Sequence, residues 1–165
     1  MAELEVEIAR LIREYQAKTG KSLTIGAVES ATGGRIADRI TDVPGSSDYF
    51  KGSVVAYSNE AKIALPGVKK ETLENYGAVS EQTAREMAQG GRKLLNVDVC
   101  VSDTGIAGPS GGTPEKPVGL FYLGLATKDE SLSQKHTFKG SREKNKRDAA
   151  EAVLNMLKQY LLRYV

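Results

Sequence analysis

The sequence predicts an α/β fold, a three-layer α/β/α sandwich built on a mixed, mainly parallel sheet. Three observations lead there. Segments with apolar residues at helical spacing alternate with short strand-like runs through most of the chain. Towards the C-terminal end, "LFYLGLAT" and "LSQKHTF" stand back to back around a "KDES" turn, which breaks the parallel pattern with one hairpin. The length of 165 residues, 40% hydrophobic and 27% charged, suits one domain spanning 1–165 around a single core.

The elements follow in order. Leu4, Ile8, Leu11, Ile12 and Tyr15 share one helical face, so a helix is expected over 2–18, stopped by Gly20. "SLTIGAVES" (22–30) is a strand, and "TGGRIADRITDV" (32–43) a helix ended by "VPG". "GSVVAYS" (52–58) is the second strand, followed by short helical pieces over 59–65 and in "ETLENY". Ser80 is placed to cap a helix running to Leu95, and "VDVCVSDTG" is the third strand. The loop 105–119 holds five glycines and three prolines, a length and composition that suggest a functional segment. The hairpin and a final helix over 141–164 complete the chain. No repeat, low-complexity tract or linker interrupts it.

Composition excludes several classes of function. With 23 basic and 21 acidic residues, the net charge of +2 leaves no footprint for nucleic acid or an anionic membrane. No apolar run is long enough to span a bilayer, and "MAELEVEIAR" is acidic and helical, unlike a signal peptide. Cys100 is the lone cysteine, so a reducing, cytoplasmic setting is expected. It stands between valines and reads as core. His136 is the lone histidine, in a strand-like segment without a nucleophile elbow, which leaves no Ser-His-Asp triad. No cluster has metal-ligand spacing, and no metal or organic cofactor is expected. The glycine-rich loop runs through "PEKP" into a strand, unlike a nucleotide-binding P-loop. "SREK", "YSN" and "KTG" imitate penicillin-recognising elements, but in reversed order and at helix ends.

Serine and lysine chemistry remains. "SSDYFKGSVVAYSNEAK" (46–62) offers several pairings, and pattern alone selects none. A lysine acts as a base only when its pKa falls from about 10.4 towards neutrality. Lys62 sits in the first turn of a short helix, where such a residue is ordinarily solvated; Ser46 and Ser47 after "PG" read ordinarily as turn residues. The "AVES"–"TGGR" junction, a strand entering a glycine-led helix, offers unpaired N–H groups that suit an anion or merely permit a tight turn.

Taken together, "AVESATGGRIADRITDVPGSSDYFKGSVVAYSNEAK", "YGAVSEQTAREMA" and "TGIAGPSGGTPEKPVG" resemble the CinA C-terminal family, over nearly the whole chain. That family includes the stand-alone PncC group of nicotinamide mononucleotide (NMN) deamidases. The resemblance implies an amidohydrolase that converts NMN and water to nicotinic acid mononucleotide and ammonia by a Ser/Lys mechanism. Carried onto this chain it implies Ser47 as nucleophile, Lys62 as base and Tyr57 as an assisting group, with the strand 52–58 as their spacer. Ser30, Thr32, Gly33, Gly34, Thr104, Gly105, Gly108 and Arg142 would bind the substrate, Arg142 or the Gly33–Gly34 turn holding its phosphate. A homodimer or higher homo-oligomer is also implied. Alternatives are a catalytically silent nucleotide-binding or interaction module, or an amidohydrolase of another nucleotide-like amide. This chain departs from many relatives at Ala31, where they carry cysteine, and at Asp103, where they carry a small or hydroxyl residue. The nucleotide-pyrophosphatase activity of the additional N-terminal domain in many CinA proteins is not implied.

Overall fold

The computed structural model describes residues 3–165; Met1 and Ala2, the latter within the expected first helix, lie outside the described residues. Among the described residues, six α-helices and five strands follow one another, alternating up to β2 and then grouped as three helices, three strands and a final helix. They are α1 (Leu4–Thr19), β1 (Ile25–Glu29), α2 (Arg35–Thr41), β2 (Phe50–Val55), α3 (Asn59–Ala64), α4 (Lys70–Tyr76), α5 (Glu81–Leu95), β3 (Val99–Gly105), β4 (Leu120–Ala126), β5 (Ser131–Thr137) and α6 (Arg142–Leu161). A single 3₁₀ turn, Ser46–Asp48, precedes β2.

The sheet order is β2-β1-β3-β4-β5. β1 pairs parallel with both β2 and β3, while β4 is antiparallel to β3 and to β5. Four strands therefore point one way and β4 alone runs against them. β1 is an interior strand, paired on both sides and buried along its whole length, which is why "IGAVE" shows no polar alternation.

Strand alternation divides the core into two layers. Ile25, Ala27, Val99, Val101, Leu123 and Leu125 face α1, α2 and α6. Val28 and Cys100 face the other way, with Met87 of α5 and Val68. Cys100 is thus a buried core residue, as its valine neighbours suggest, and burial pushes its thiol up to about 12. His136 stacks on Phe138 at the far edge strand. No described helix is long and apolar enough to cross a membrane.

The boundaries differ from the sequence expectation where turn chemistry intervenes. α2 begins at Arg35 rather than Thr32, because Gly33 and Gly34 take φ of 62° and 104°, outside the helical region. The expected strand 52–58 is β2, and Ser58 instead caps α3, accepting from the Ala61 N–H at 3.0 Å. α5 lies unusually close to the sheet. A Cβ on Gly124 would sit 2.3 Å from the Ala84 carbonyl oxygen, and the same carbonyl accepts from Ser102 Oγ at 2.6 Å. Gly124→Ala should therefore destabilise the protein by about 1–3 kcal/mol through overpacking. Chemical denaturation would register this as a lower midpoint with an unchanged slope.

Candidate active site

The carboxyl ends of β1, β2 and β3 lie side by side, the edge where open α/β sheets place ligands. β1 ends at Glu29, whose carboxylate turns back over the start of α2. Oε1 accepts from the N–H groups of Gly34 (3.1 Å) and Ile36 (2.9 Å), and Oε2 from that of Ala37 (3.1 Å). The Thr32 and Ser53 hydroxyls each add a bond at 2.8 Å. The next residue in space is Asp103, one step beyond the Val28–Ser102 pair on β3 and on the same face as Glu29. It accepts from the N–H groups of Ser30 (3.0 Å) and Thr32 (3.1 Å), and its Oδ1 lies 2.5 Å from Thr32 Oγ1. Both carboxyls are fully buried. Burial pushes the Asp103 carboxyl up to about 6, against the hydrogen bonds from Thr32 and Ser30 that favour its charged form.

This scaffold holds Ser30 at the mouth of the turn, 6% exposed, with its hydroxyl 3.0 Å from Lys62 Nζ. Lys62 is not the solvated first-turn lysine that sequence alone suggests; it is 2% exposed. α3 starts directly after β2 and lies across the strand ends, so the side chain reaches inward to the end of β1. Its Nζ also donates to the carbonyl oxygens of Ala56 (3.1 Å) and Tyr57 (3.2 Å). Burial lowers its pKa below the ordinary lysine value, a shift that an ionised Asp103 would oppose. As an ammonium, Nζ would donate one hydrogen to each of these three acceptors, Ser30 Oγ among them. A neutral amine has two hydrogens for the two carbonyls and one lone pair, which is left facing the serine hydroxyl.

Around the pair opens a cleft of about 290 Å³, lined by Ala31, Tyr57, Val79, Thr104, the Gly105–Gly108 segment and Arg142. Thr104 Oγ1 donates to the Ala78 carbonyl at 2.7 Å. Arg142, at the first turn of α6, donates to the Gly108 carbonyl (2.8 Å) and to the Tyr57 hydroxyl (3.1 Å), bridging the rim.

Residues 7–161 match the CinA C-terminal domain. The chain belongs to that family. It is 48% identical over 160 residues to a putative competence-damage inducible protein of Thermoanaerobacter sp. (strain X514), covering 97% of this chain and 37% of that protein. A protein with the same description from Halothermothrix orenii is 54% identical over 142 residues, covering 86% of this chain and 34% of its own length. The chain thus spans about a third of these curated relatives. Among solved structures, the competence/damage inducible protein CihA from Agrobacterium tumefaciens is 35% identical at a TM-score of 0.86, covering 95% of this chain and 94% of that one. The competence damage-inducible protein A from Klebsiella pneumoniae is 26% identical at 0.89, covering 99% and 100%.

Within this CinA domain, the cleft gathers Ser30, Tyr57, Lys62, Thr104, Gly105, Gly108 and Arg142. Ser47 is not among them. It is exposed in the 3₁₀ turn before β2, whereas Lys62 follows the other end of that strand. Six extended residues span about 20 Å, so the strand expected to link the two side chains instead holds them apart. The serine that meets Lys62 comes from the neighbouring parallel strand. The phosphate expectation for the Gly33–Gly34 turn is also corrected. The N–H groups of Gly34, Ile36 and Ala37 are taken by Glu29, and that of Gly33 by the Ser30 carbonyl at 3.1 Å. Thr32 is wholly buried between two carboxyls rather than in the cleft. Tyr57 accepts from Lys62 through its carbonyl, while the residue as a whole is 62% exposed.

Sequence reasoning did not find Glu29, Asp103 as a supporting residue, or Asn145. The Asn145 side chain donates to the Ala107 carbonyl at 3.0 Å and accepts from the Gly140 N–H at 2.9 Å, pinning the glycine-rich loop to α6. Their sequence signal is only a polar residue on a face otherwise apolar. Glu29→Ala should cost about 3 kcal/mol or more, because it strips a buried helix start of its acceptor. A fall of less than 1 kcal/mol in denaturant unfolding would contradict the capping role.

Proposed function

We propose that this cleft hydrolyses the carboxamide of NMN, with Ser30 as nucleophile and Lys62 as its base. The observation that carries the reading is the buried 3.0 Å contact between Ser30 Oγ and Lys62 Nζ, with the two other Nζ contacts both to carbonyl acceptors.

The chemistry follows from that arrangement. Lys62 Nζ takes the Ser30 hydroxyl proton as Oγ attacks the carboxamide carbon. The negative charge that develops on the carbonyl oxygen needs a donor. The Ala31 N–H follows the nucleophile directly and has no acceptor among the described residues, and Ala31 lines the cleft. Collapse of the intermediate breaks the C–N bond, and Lys62 returns the proton to the departing amine, which leaves as ammonia. Water, deprotonated by Lys62, then attacks the acyl ester on Ser30, and the carboxylate product is released with the serine hydroxyl restored. Arg142 supplies a cation at the rim, placed for the phosphate of a nucleotide whose base end lies at Ser30.

Ser30→Ala and Lys62→Met should each lower kcat for ammonia release from NMN by roughly 10³-fold or more, while Ser47→Ala leaves it unchanged. Loss of activity in Ser47→Ala with activity retained in Ser30→Ala would overturn the assignment of the nucleophile. The rate should rise with pH through the lowered Lys62 value and level off above it, since only the neutral amine accepts the serine proton. No ammonia from the intact protein, with NMN binding seen by calorimetry, would support a silent nucleotide-binding module instead.

Arg142→Ala should raise KM for NMN about tenfold or more, with a much smaller effect on the phosphate-free nicotinamide riboside. Equal effects on both substrates would mean that Arg142 does not read the phosphate.

A further inference from the structure

Beneath the Ser30–Lys62 pair, the hydrogen count of one hydroxyl is unbalanced. Thr32 Oγ1 lies 2.8 Å from Glu29 Oε1 and 2.5 Å from Asp103 Oδ1, with all three groups buried. A threonine hydroxyl has a single hydrogen. If both carboxyls were ionised, that hydrogen would satisfy one of them, and oxygen lone pairs would face each other at 2.5 Å across the other contact. One carboxyl proton removes the conflict, and 2.5 Å lies in the range of an O–H···O bond.

The surrounding donors decide which carboxyl carries it. Glu29 accepts from three N–H groups at the start of α2 and from Ser53 Oγ, before Thr32 is considered. Asp103 accepts from only two N–H groups, those of Ser30 and Thr32. Glu29 is thus the better-stabilised anion. We propose that Asp103 is held protonated, donating to Thr32 Oγ1, which donates in turn to Glu29, so that no negative charge lies beside Lys62 to keep it an ammonium. Asp103 is then a positioning residue: it fixes the Ser30 backbone through its N–H and leaves Lys62 a free base. This consequence for catalysis rests on the hydrolase reading; the proton assignment does not.

The electrostatic surroundings fit. The charged groups that act on Asp103 are Glu29 from β1 and Lys62 from α3. β4 places Leu123 opposite it, and α5 packs on the other face of β3, where Ser102 meets Ala84. From α6, Lys146 reaches Gly33, at the far side of the turn. Burial raises the carboxyl to about 6 even with the Thr32 hydrogen directed at it, and turning that hydrogen to Glu29 removes the largest influence that lowers it, which raises it further.

The test is carbon NMR of the wild-type protein labelled at the aspartate side-chain carboxyls, titrated from pH 4 to pH 9, with Asp103→Asn identifying the resonance. Of the seven aspartates, one should still give the signal of a protonated carboxyl at pH 7, and it should be missing from Asp103→Asn. Seven ionised carboxylates at pH 7 would overturn the proposal, whether or not the variant folds. A second reading follows Lys62 itself. Exchanging one neutral group for another leaves the Lys62 titration within a few tenths of a unit, whereas removing a true anion lowers it by about one unit or more. A fall of that size in Asp103→Asn would also overturn the proposal. Neither readout uses turnover. A protein that fails to hydrolyse NMN but shows the protonated aspartate would contradict the hydrolase reading and leave this one standing.

Discussion

The carboxylate of Glu29 is the contact on which the site depends. A strand that turns directly into a helix leaves N–H groups at the helix start without partners, inside the protein. Here the last residue of β1 supplies the acceptor, gathering the N–H groups of Gly34, Ile36 and Ala37. The path from 30 to 34 is thereby closed into a fixed turn, and Ser30 is presented at its mouth. The interaction uses the helix start for architecture, and an incoming anion must find its cation elsewhere, at the Arg142 rim.

The second constraint is the cost of burying Lys62. An amine almost without solvent contact is tolerated when its hydrogens are satisfied and its charge can be given up. The carbonyls of Ala56 and Tyr57, exposed where β2 has ended and α3 has begun, provide the two acceptors. The same strand-to-helix transition that leaves those carbonyls free carries the lysine to the neighbouring strand end. Placement and depressed basicity both follow from one local break in β2. The parallel pairing of β1 with β2 then determines which serine the lysine meets.

Much of the architecture was legible in the sequence because it rests on local period. The alternation of helical and strand patterns gave the sandwich, and "LFYLGLAT–KDES–LSQKHTF" gave the hairpin. The family resemblance brought Ser30, Tyr57, Lys62, Thr104, Gly105, Gly108 and Arg142 to the cleft that the structure forms. Ser47 illustrates the opposite case. It is near Lys62 in sequence, yet a strand is an extended rod, and residues flanking its two ends cannot touch. The partner of Lys62 is instead 32 residues away, across a parallel pair. Glu29 and Asp103 were hidden for the same reason. They are 74 residues apart and become neighbours only through the register of β1 on β3, a long-range property that no local pattern encodes.

The central claim is that Ser30, and not Ser47, forms the covalent bond. The two serines fall on different tryptic peptides, 22–35 and 40–51, so one experiment separates them. The protein is mixed with NMN, quenched in acid during turnover, digested and read by mass spectrometry with fragmentation. The acyl adduct of nicotinic acid mononucleotide is expected on the 22–35 peptide, at Ser30. An adduct on the 40–51 peptide would contradict the account, as would ammonia release in a burst without any adduct on Ser30.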